Sequence, residues 1–204
     1  DEVDTNTVTL ISRRPDGSHI LADGAASRSI EFPGISPDGS HILMQTQAAN
    51  GGVHLFMRVD QAITYEIAPG PGVTVIGMTR NGSKVLFAAD QPLVPADGDS
   101  QKDLYAWTEE GALKGQPLTL ASQQGGMGNS ESCAATWTKG CGIALISTER
   151  GNPKGLASVS GLDDKLAEEA GDVYFYSPEL LDPDHAGLLD QKNLYVFHDG
   201  GVQL

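Results

Sequence analysis

Hydrophobic residues in this chain occur in short runs separated by turn residues. The run 42–44 follows Asp-Gly-Ser-His, and the run 85–87 follows Asn-Gly-Ser-Lys. Apolar runs that follow Asp-Gly or Asn-Gly are typical of β-strands joined by tight turns, in which both turn residues have positive φ angles. Stretches without turn residues reach about ten residues at most, too short for a helical bundle. The pattern therefore predicts an all-β fold.

These runs recur at a fixed distance along the chain. Residues 34–44 are matched without a gap by residues 77–87, at an offset of 43 residues. A further copy begins near Asp172, about two periods on, and continues to Asn193–Tyr195, which matches Asp103–Tyr105 after a two-residue slip. Each unit supplies four strands, so the sequence predicts four antiparallel strands per repeat, the spacing of a β-propeller blade.

The strand positions follow from this repeat. The third strands of the units are predicted at 54–57, 103–107 and 193–197, and fourth strands at 65–67 and 117–120. An ordinary β-sandwich also has short strands and turns, but its sequence need not repeat, so the repeat favours the propeller.

A resemblance to a known family rests on the same residues. Residues 35–43, Ile-Ser-Pro-Asp-Gly-Ser-His-Ile-Leu, resemble the TolB-type (WD-like) propeller repeat, in which a Ser-Pro-Asp-Gly turn precedes an apolar strand. Asp103–Tyr105 and Asn193–Tyr195 resemble the later strand of that repeat. Residues 79–82 depart from the turn motif, and the last copy lacks it. The resemblance implies a β-propeller and says little about function.

The phase of the repeat places both ends of the chain inside blades. Residues 8–12 and 19–21 are predicted to be the outer half of a blade, and the chain ends soon after the turn at 199–200. We expect three and a half to four blades within a single domain over 1–204, either as part of a larger propeller or as a small closed ring. Residues 122–170 interrupt the repeat as an irregular insertion, with a cysteine hairpin and one short helix over 162–170.

The two cysteines, Cys133 and Cys141, lie eight residues apart and match no zinc or redox motif. Their spacing suits a disulfide across a short hairpin with its turn at Lys139-Gly140; two reduced buried thiols are the alternative. A disulfide predicts an extracytoplasmic protein, meaning periplasmic, secreted or exposed at the cell surface.

The net charge of −14, from 27 acidic and 13 basic side chains, excludes nucleic acid as a partner, because such binding depends on neutralising phosphates. The same charge disfavours anionic membranes, and no stretch of eighteen apolar residues predicts membrane insertion. Solubility alone accounts for this acidity, although bound divalent cations or cationic partners would account for it equally.

Two acidic loops are the candidate cation sites. Asp97, Asp99 and Asp103 stand at positions 1, 3 and 7 of a Gly-containing loop, and Asp182 and Asp184 lie in the matching loop of the last copy. Calcium takes several oxygen ligands from loops of this kind. The helix-loop-helix calcium signature is absent, and solvated turns, which favour the same residues, are the alternative.

The sequence points to binding rather than catalysis. It contains no Gly-x-Ser-x-Gly motif, and no other cofactor is expected. We expect a non-catalytic propeller module of an exported bacterial protein that binds or scaffolds a protein or glycan partner. The alternatives are the accessory propeller of a larger enzyme such as a serine peptidase, and a structural subunit that self-assembles through open blade edges.

Overall fold

The computed structural model describes residues 9–20, 27–48, 53–70, 72–124, 128–138, 140–146, 173–185, 187–198 and 200–204. Within these ranges the chain forms strands and one short helix. In chain order they are β1 (Ser27–Ile35), β2 (His41–Ala48), β3 (Val53–Val59), β4 (Ile63–Ala68), β5 (Thr74–Met78), β6 (Lys84–Ala89), β7 (Asp103–Thr108), α1 (Glu109–Leu113), β8 (Leu118–Leu120), β9 (Ala144–Leu145), β10 (Val173–Ser177), β11 (Asn193–His198) and β12 (Gly201–Gln203). No helix of this part of the chain is long and apolar enough to cross a membrane.

The strands form three antiparallel sheets of four strands each. The first sheet has the order β1-β2-β3-β4, the second β5-β6-β7-β8, and the third β12-β11-β10-β9. The all-β prediction and the four-stranded units are thus confirmed, with β3, β7, β11, β4 and β8 at the predicted positions. The three sheets are not closed into a ring, so the propeller arrangement stays a prediction.

The repeated turn between the first two strands differs from the expected two-residue turn. In these two turns only the glycines, Gly39 and Gly82, have positive φ, at 71° and 78°. The Asp or Asn residue before each glycine does not. In the first sheet Asp38 Oδ1 accepts hydrogen bonds from Ser36 Oγ (2.7 Å) and Ser40 N (3.0 Å). The acidic side chain therefore closes a longer turn by side-chain hydrogen bonding, and glycine alone supplies the left-handed conformation.

A two-residue turn occurs instead between β3 and β4, at Asp60 and Gln61. Both have positive φ, 48° and 57°, and Ala62 N donates to Val59 O at 2.9 Å. The buried Arg58 donates to the carbonyl oxygens of Gln61 and Ala62, the latter at 3.0 Å. This contact holds a turn whose residues lack the usual Asn-Gly preference.

Neighbouring sheets pack face to face because alternate residues of each strand point to opposite faces. From the first sheet, Leu55 and Met57 pack against Phe87 and Trp107 of the second. The other face of the second sheet packs against the third sheet, and the residues that it contributes include Ile76, Leu86, Ala88, Leu104 and Ala106. The second sheet is thus buried on both faces.

Two close contacts join the first and second sheets near their turns. Gly34 of β1 lies so close to Met78 of β5 that a Cβ at Gly34 would be 2.7 Å from the Met78 sulfur. His41 packs over Gly82, and its Nε2 lies 3.1 Å from Glu109 Oε2 at the start of α1. The first strands of adjacent sheets therefore approach each other directly.

The segment before β1 packs on the face of the first sheet that points away from the second sheet. Ile20 is buried with Ile42, Met44 and Phe56. The predicted strands at 8–12 and 19–21 are reduced to one isolated bridge, Arg13 with His19, within the described part of this segment. The predicted helix over 162–170 lies outside the described residues.

Candidate cation site

The loop between β6 and β7 brings three of the predicted aspartates together. Asp97 and Asp99 lie in the loop, and Asp103 is the first residue of β7, paired with Ala89. One carboxylate oxygen from each lies within 4.8 Å of the others, and all three side chains are buried. The alternative interpretation of this loop as a solvated turn does not fit this burial.

Hydrogen bonds hold the first two carboxylates in place. Asp97 Oδ1 accepts from Asp99 N (3.2 Å), and Asp99 Oδ1 accepts from Gln101 N (2.8 Å). The hydroxyl of Tyr105 donates to Asp97 Oδ2. These contacts fix the loop without supplying any positive charge.

Asp103 is the least compensated member of the cluster. Its Oδ1 accepts a hydrogen bond from Ser122 Oγ at 2.6 Å. Its Oδ2 is buried and has no hydrogen-bond partner in the described structure, although only 4% of the residue is exposed. A buried carboxylate oxygen without a donor carries a large desolvation cost. Lys102, the adjacent basic residue, instead pairs with Asp90 at 3.1 Å.

The electrostatics of the cluster reflect this burial. Burial raises the pKa of the Asp103 carboxyl to about 8; the Ser122 hydrogen bond opposes this, and Asp99 and Asp97 add to it. Burial likewise raises the pKa of Asp99 and that of Glu179, a residue whose charge acts on Asp103. The site therefore disfavours its own negative charge unless a cation compensates it.

The segment that contains Cys133 and Cys141 packs beside the aspartates through residues on either side of the disulfide. The side chain of Asn129 accepts from Gly98 N (2.8 Å) and donates to Ala96 O (3.0 Å). Ile143 N donates to Lys102 O at 2.7 Å. Between these contacts Cys133 and Cys141 form a disulfide. The disulfide prediction is confirmed, but bends and turns surround it in the described structure, where we expected a hairpin.

The matching loop of the third sheet repeats the same framework. Leu93 N donates to the hydroxyl of Tyr105 (3.3 Å), and Leu181 N donates to that of Tyr195 (3.2 Å). Each hydroxyl also lies within hydrogen-bond distance of the carbonyl oxygen two residues before its leucine. The two-residue slip in the sequence therefore corresponds to structurally equivalent loops of different length.

Asp182 and Asp184, however, do not form a second cluster in the described residues. Asp182 Oδ1 accepts from Asp184 N at 2.9 Å, and Asp182 Oδ2 accepts from Leu204 N at 3.0 Å. Asp184 is exposed. Asp182 thus anchors the end of the chain beside the third sheet, and its contacts are those of a structural residue.

Comparison with known proteins adds no relative. The chain matches no family model, no curated protein and no solved structure. The disulfide beside the aspartate cluster is typical of proteins outside the reducing cytosol.

Sequence reasoning missed three residues that shape the cluster. Ser122 follows β8, Glu131 lies two residues before Cys133, and Glu179 follows β10. Gln101 Nε2 donates to Glu131 O at 3.1 Å, and Glu179 Oε1 accepts from Ser130 N at 3.1 Å. No local pattern marks these residues, because each reaches the site from a different segment.

We expect the substitution Asp182→Asn to destabilise the protein near neutral pH and to lose its effect in acid. The Leu204 amide, with that of Asp184 and the His185 contact, lowers the pKa of Asp182 from 3.8 to about 2. A lowered pKa in the folded state stabilises the fold above about pH 4, and this contribution disappears as the pH falls towards 2. Urea midpoints measured between about pH 7 and 3 should show the gap between variant and wild type narrowing. Asp184→Asn is the exposed control, and a gap independent of pH would contradict the prediction.

Proposed function

We propose that this chain is a segment of a β-propeller in an exported protein, periplasmic, secreted or at the cell surface, and that it acts as a binding or scaffolding module. Its resemblance to TolB-type repeats and its successive four-stranded sheets support the propeller. The disulfide supports export. The proposed partners are proteins or glycans, and the chain is proposed to have no catalytic role of its own.

The observation that carries this proposal is the outer face of the third sheet. Tyr174 and Leu194 on this face are 41% and 45% exposed, whereas Phe175 and Tyr195 on the opposite face are fully buried. The first two sheets bury apolar residues on both faces, although Phe32, Ile35 and Ile63 of the first sheet are exposed. An exposed apolar face on a packed sheet marks an interaction surface.

The preceding sheets indicate what this face receives. Twice along the chain, a four-stranded sheet packs its alternate residues against the next four-stranded sheet. The third sheet presents the same alternation, so its outer face fits a further sheet of this kind. In a solution of the chain alone, such a sheet can come from a second copy of the chain. Binding through this face should then be observed as self-association.

Light scattering over a concentration series tests the proposal. We expect the chain to self-associate, and the double variant Tyr174→Lys/Leu194→Lys to stay monomeric, because two charges on the face oppose apolar packing. Leu113→Lys, on an α1 side chain that is 72% exposed, is the matched control and should associate like the wild type. A wild-type chain that is monomeric at every concentration and binds no hydrophobic dye would overturn the proposed surface.

A separate measurement tests the partner class. Binding of the chain to arrayed glycans or to immobilised proteins should be lost in Tyr174→Lys/Leu194→Lys and retained in Leu113→Lys. If both variants still bind a glycan or protein that the wild type binds, the binding surface lies elsewhere on the chain.

A further inference from the structure

We propose that Asp97, Asp99 and Asp103 bind one calcium ion in the loop between β6 and β7. This inference is independent of the proposed binding function, because it rests on the second sheet and its loop alone. Three observations lead to it. A buried carboxylate oxygen has no hydrogen-bond donor, the corresponding loop of the third sheet has an asparagine amide where this loop has a carboxylate, and the available ligand atoms are oxygens.

The unpartnered oxygen of Asp103 is the first of these observations. The Oδ2 atom is buried within a cluster whose carboxylate oxygens lie within 4.8 Å of one another. Asp99 Oδ1 is occupied by the Gln101 amide, and Asp103 Oδ1 by the Ser122 hydroxyl. One oxygen of Asp99 and one of Asp103 therefore stay available to a ligand, whereas both oxygens of Asp97 already accept a hydrogen bond. A cation would satisfy the two available oxygens at once.

The third sheet supplies an internal comparison. There the first residue of β11 is Asn193, at the position that Asp103 has in β7. The Asn193 Nδ2 group donates to the backbone carbonyl oxygens of Leu188 (2.9 Å) and Gln191 (3.3 Å), and Oδ1 accepts from Leu188 N (2.9 Å). The amide group thus hydrogen-bonds to the backbone of that loop directly.

In the second sheet a carboxylate occupies the same position and can donate nothing when ionised. The neighbouring loop residues are Asp97 and Asp99, so the carboxylate oxygens of Asp103 lie close to other hydrogen-bond acceptors. A bound cation would play the part that the Asn193 amide plays in the third sheet. This difference between the residues that begin β7 and β11 favours a cation in the second sheet.

The donor set selects the class of metal. The cluster offers carboxylate oxygens, without a histidine or cysteine among its members, and hard cations prefer such ligands. Calcium accepts irregular geometry and six to eight oxygens, whereas magnesium demands a near-octahedral arrangement and keeps its waters. A loop with residues at uneven spacing, held by side-chain to backbone hydrogen bonds, suits calcium better.

Calorimetric titration of the chelator-treated chain with calcium chloride, together with thermal melting, tests the proposal. We expect one bound ion per chain and a melting temperature raised by at least about 4 °C at about 5 mM calcium. Magnesium at the same concentration should give a smaller shift. The absence of both heat and shift with calcium would overturn the proposal.

The variant Asp103→Asn separates binding from folding. Its Oδ1 keeps the Ser122 contact, and its amide copies the residue found in the third sheet. We expect it to melt above the calcium-free wild type and to show no response to calcium. Asp99→Asn should also lose the response, and it decides the question if Asp103→Asn does not fold.

Asp184→Asn is the matched control, because it removes a loop carboxylate at the corresponding end of the third sheet. It should keep the wild-type response to calcium. A calcium response that persists in both Asp99→Asn and Asp103→Asn, or that is lost in Asp184→Asn, would place the ion elsewhere.

Discussion

Replacement of Trp107 with alanine is expected to lower the free energy of unfolding by about 3–5 kcal/mol. Trp107 is the largest fully buried side chain of the described residues and lies between the first and second sheets. Its ring packs at 5.8 Å from that of Tyr65 on β4. Its removal leaves a cavity at an interface that both sheets share, and urea denaturation followed by circular dichroism would measure the loss.

Two further variants distinguish this effect from a general sensitivity to mutation. The indole nitrogen of Trp107 is buried and has no hydrogen-bond partner in the described structure. Trp107→Phe removes this unsatisfied donor and keeps most of the volume, so we expect a loss below about 1.5 kcal/mol. Leu113→Ala, on the exposed face of α1, should change stability by less than about 0.5 kcal/mol. Equal losses for alanine and phenylalanine at position 107 would refute the role of the cavity.

Removal of the disulfide is expected to cost about 2.5 kcal/mol, because it releases a loop of about nine residues in the unfolded chain. The double variant Cys133→Ala/Cys141→Ala, compared with the oxidised wild type by urea denaturation, measures this loss. Since Glu131 and Ile143, on either side of the disulfide, contact Gln101 and Lys102, calcium binding should weaken as well.

A reducing agent provides the internal check on that result. It should destabilise the wild type to the level of the double variant and leave the double variant unchanged. If reduction of the wild type leaves its unfolding midpoint where it was, the contacts of the loop with the second sheet are sufficient to hold it.

The strands could be predicted from the sequence because their signals are local. Asp38-Gly39 and Asn81-Gly82 each precede an apolar strand, and the offset of 43 residues placed β2 and β6 correctly. The conformation of these turns could not be predicted in the same way, because it depends on hydrogen bonds from Ser36 and its counterpart Thr79.

Two features of the fold had weak local signals. The turn at Asp60 and Gln61 lacks glycine and asparagine and depends on Arg58, two residues before it. The helix α1 has only five residues, and its signal is limited to the Thr108 cap, whose hydroxyl accepts from Gly111 N at 3.1 Å. The turn and the helix therefore depend more on contacts with neighbouring residues than on the intrinsic conformational preferences of their own residues.

For the candidate site, the spacing of the aspartates was informative in one loop and misleading in the other. Asp97, Asp99 and Asp103 cluster, whereas Asp182 and Asp184 have separate structural positions. The decisive difference is the residue that starts the following strand, because the Asn193 amide donates to backbone carbonyl oxygens of the third-sheet loop, which an ionised Asp103 cannot do. Composition alone does not reveal this, since both loops are acidic.

The burial of the second sheet on both faces has a consequence for how such a chain changes in evolution. Each interface joins stretches that are adjacent in the sequence, so duplication of one unit of about 43 residues adds one interface and leaves the existing ones intact. Loss of a terminal unit likewise removes one interface. Genes of this kind are therefore expected to differ from one another by whole units.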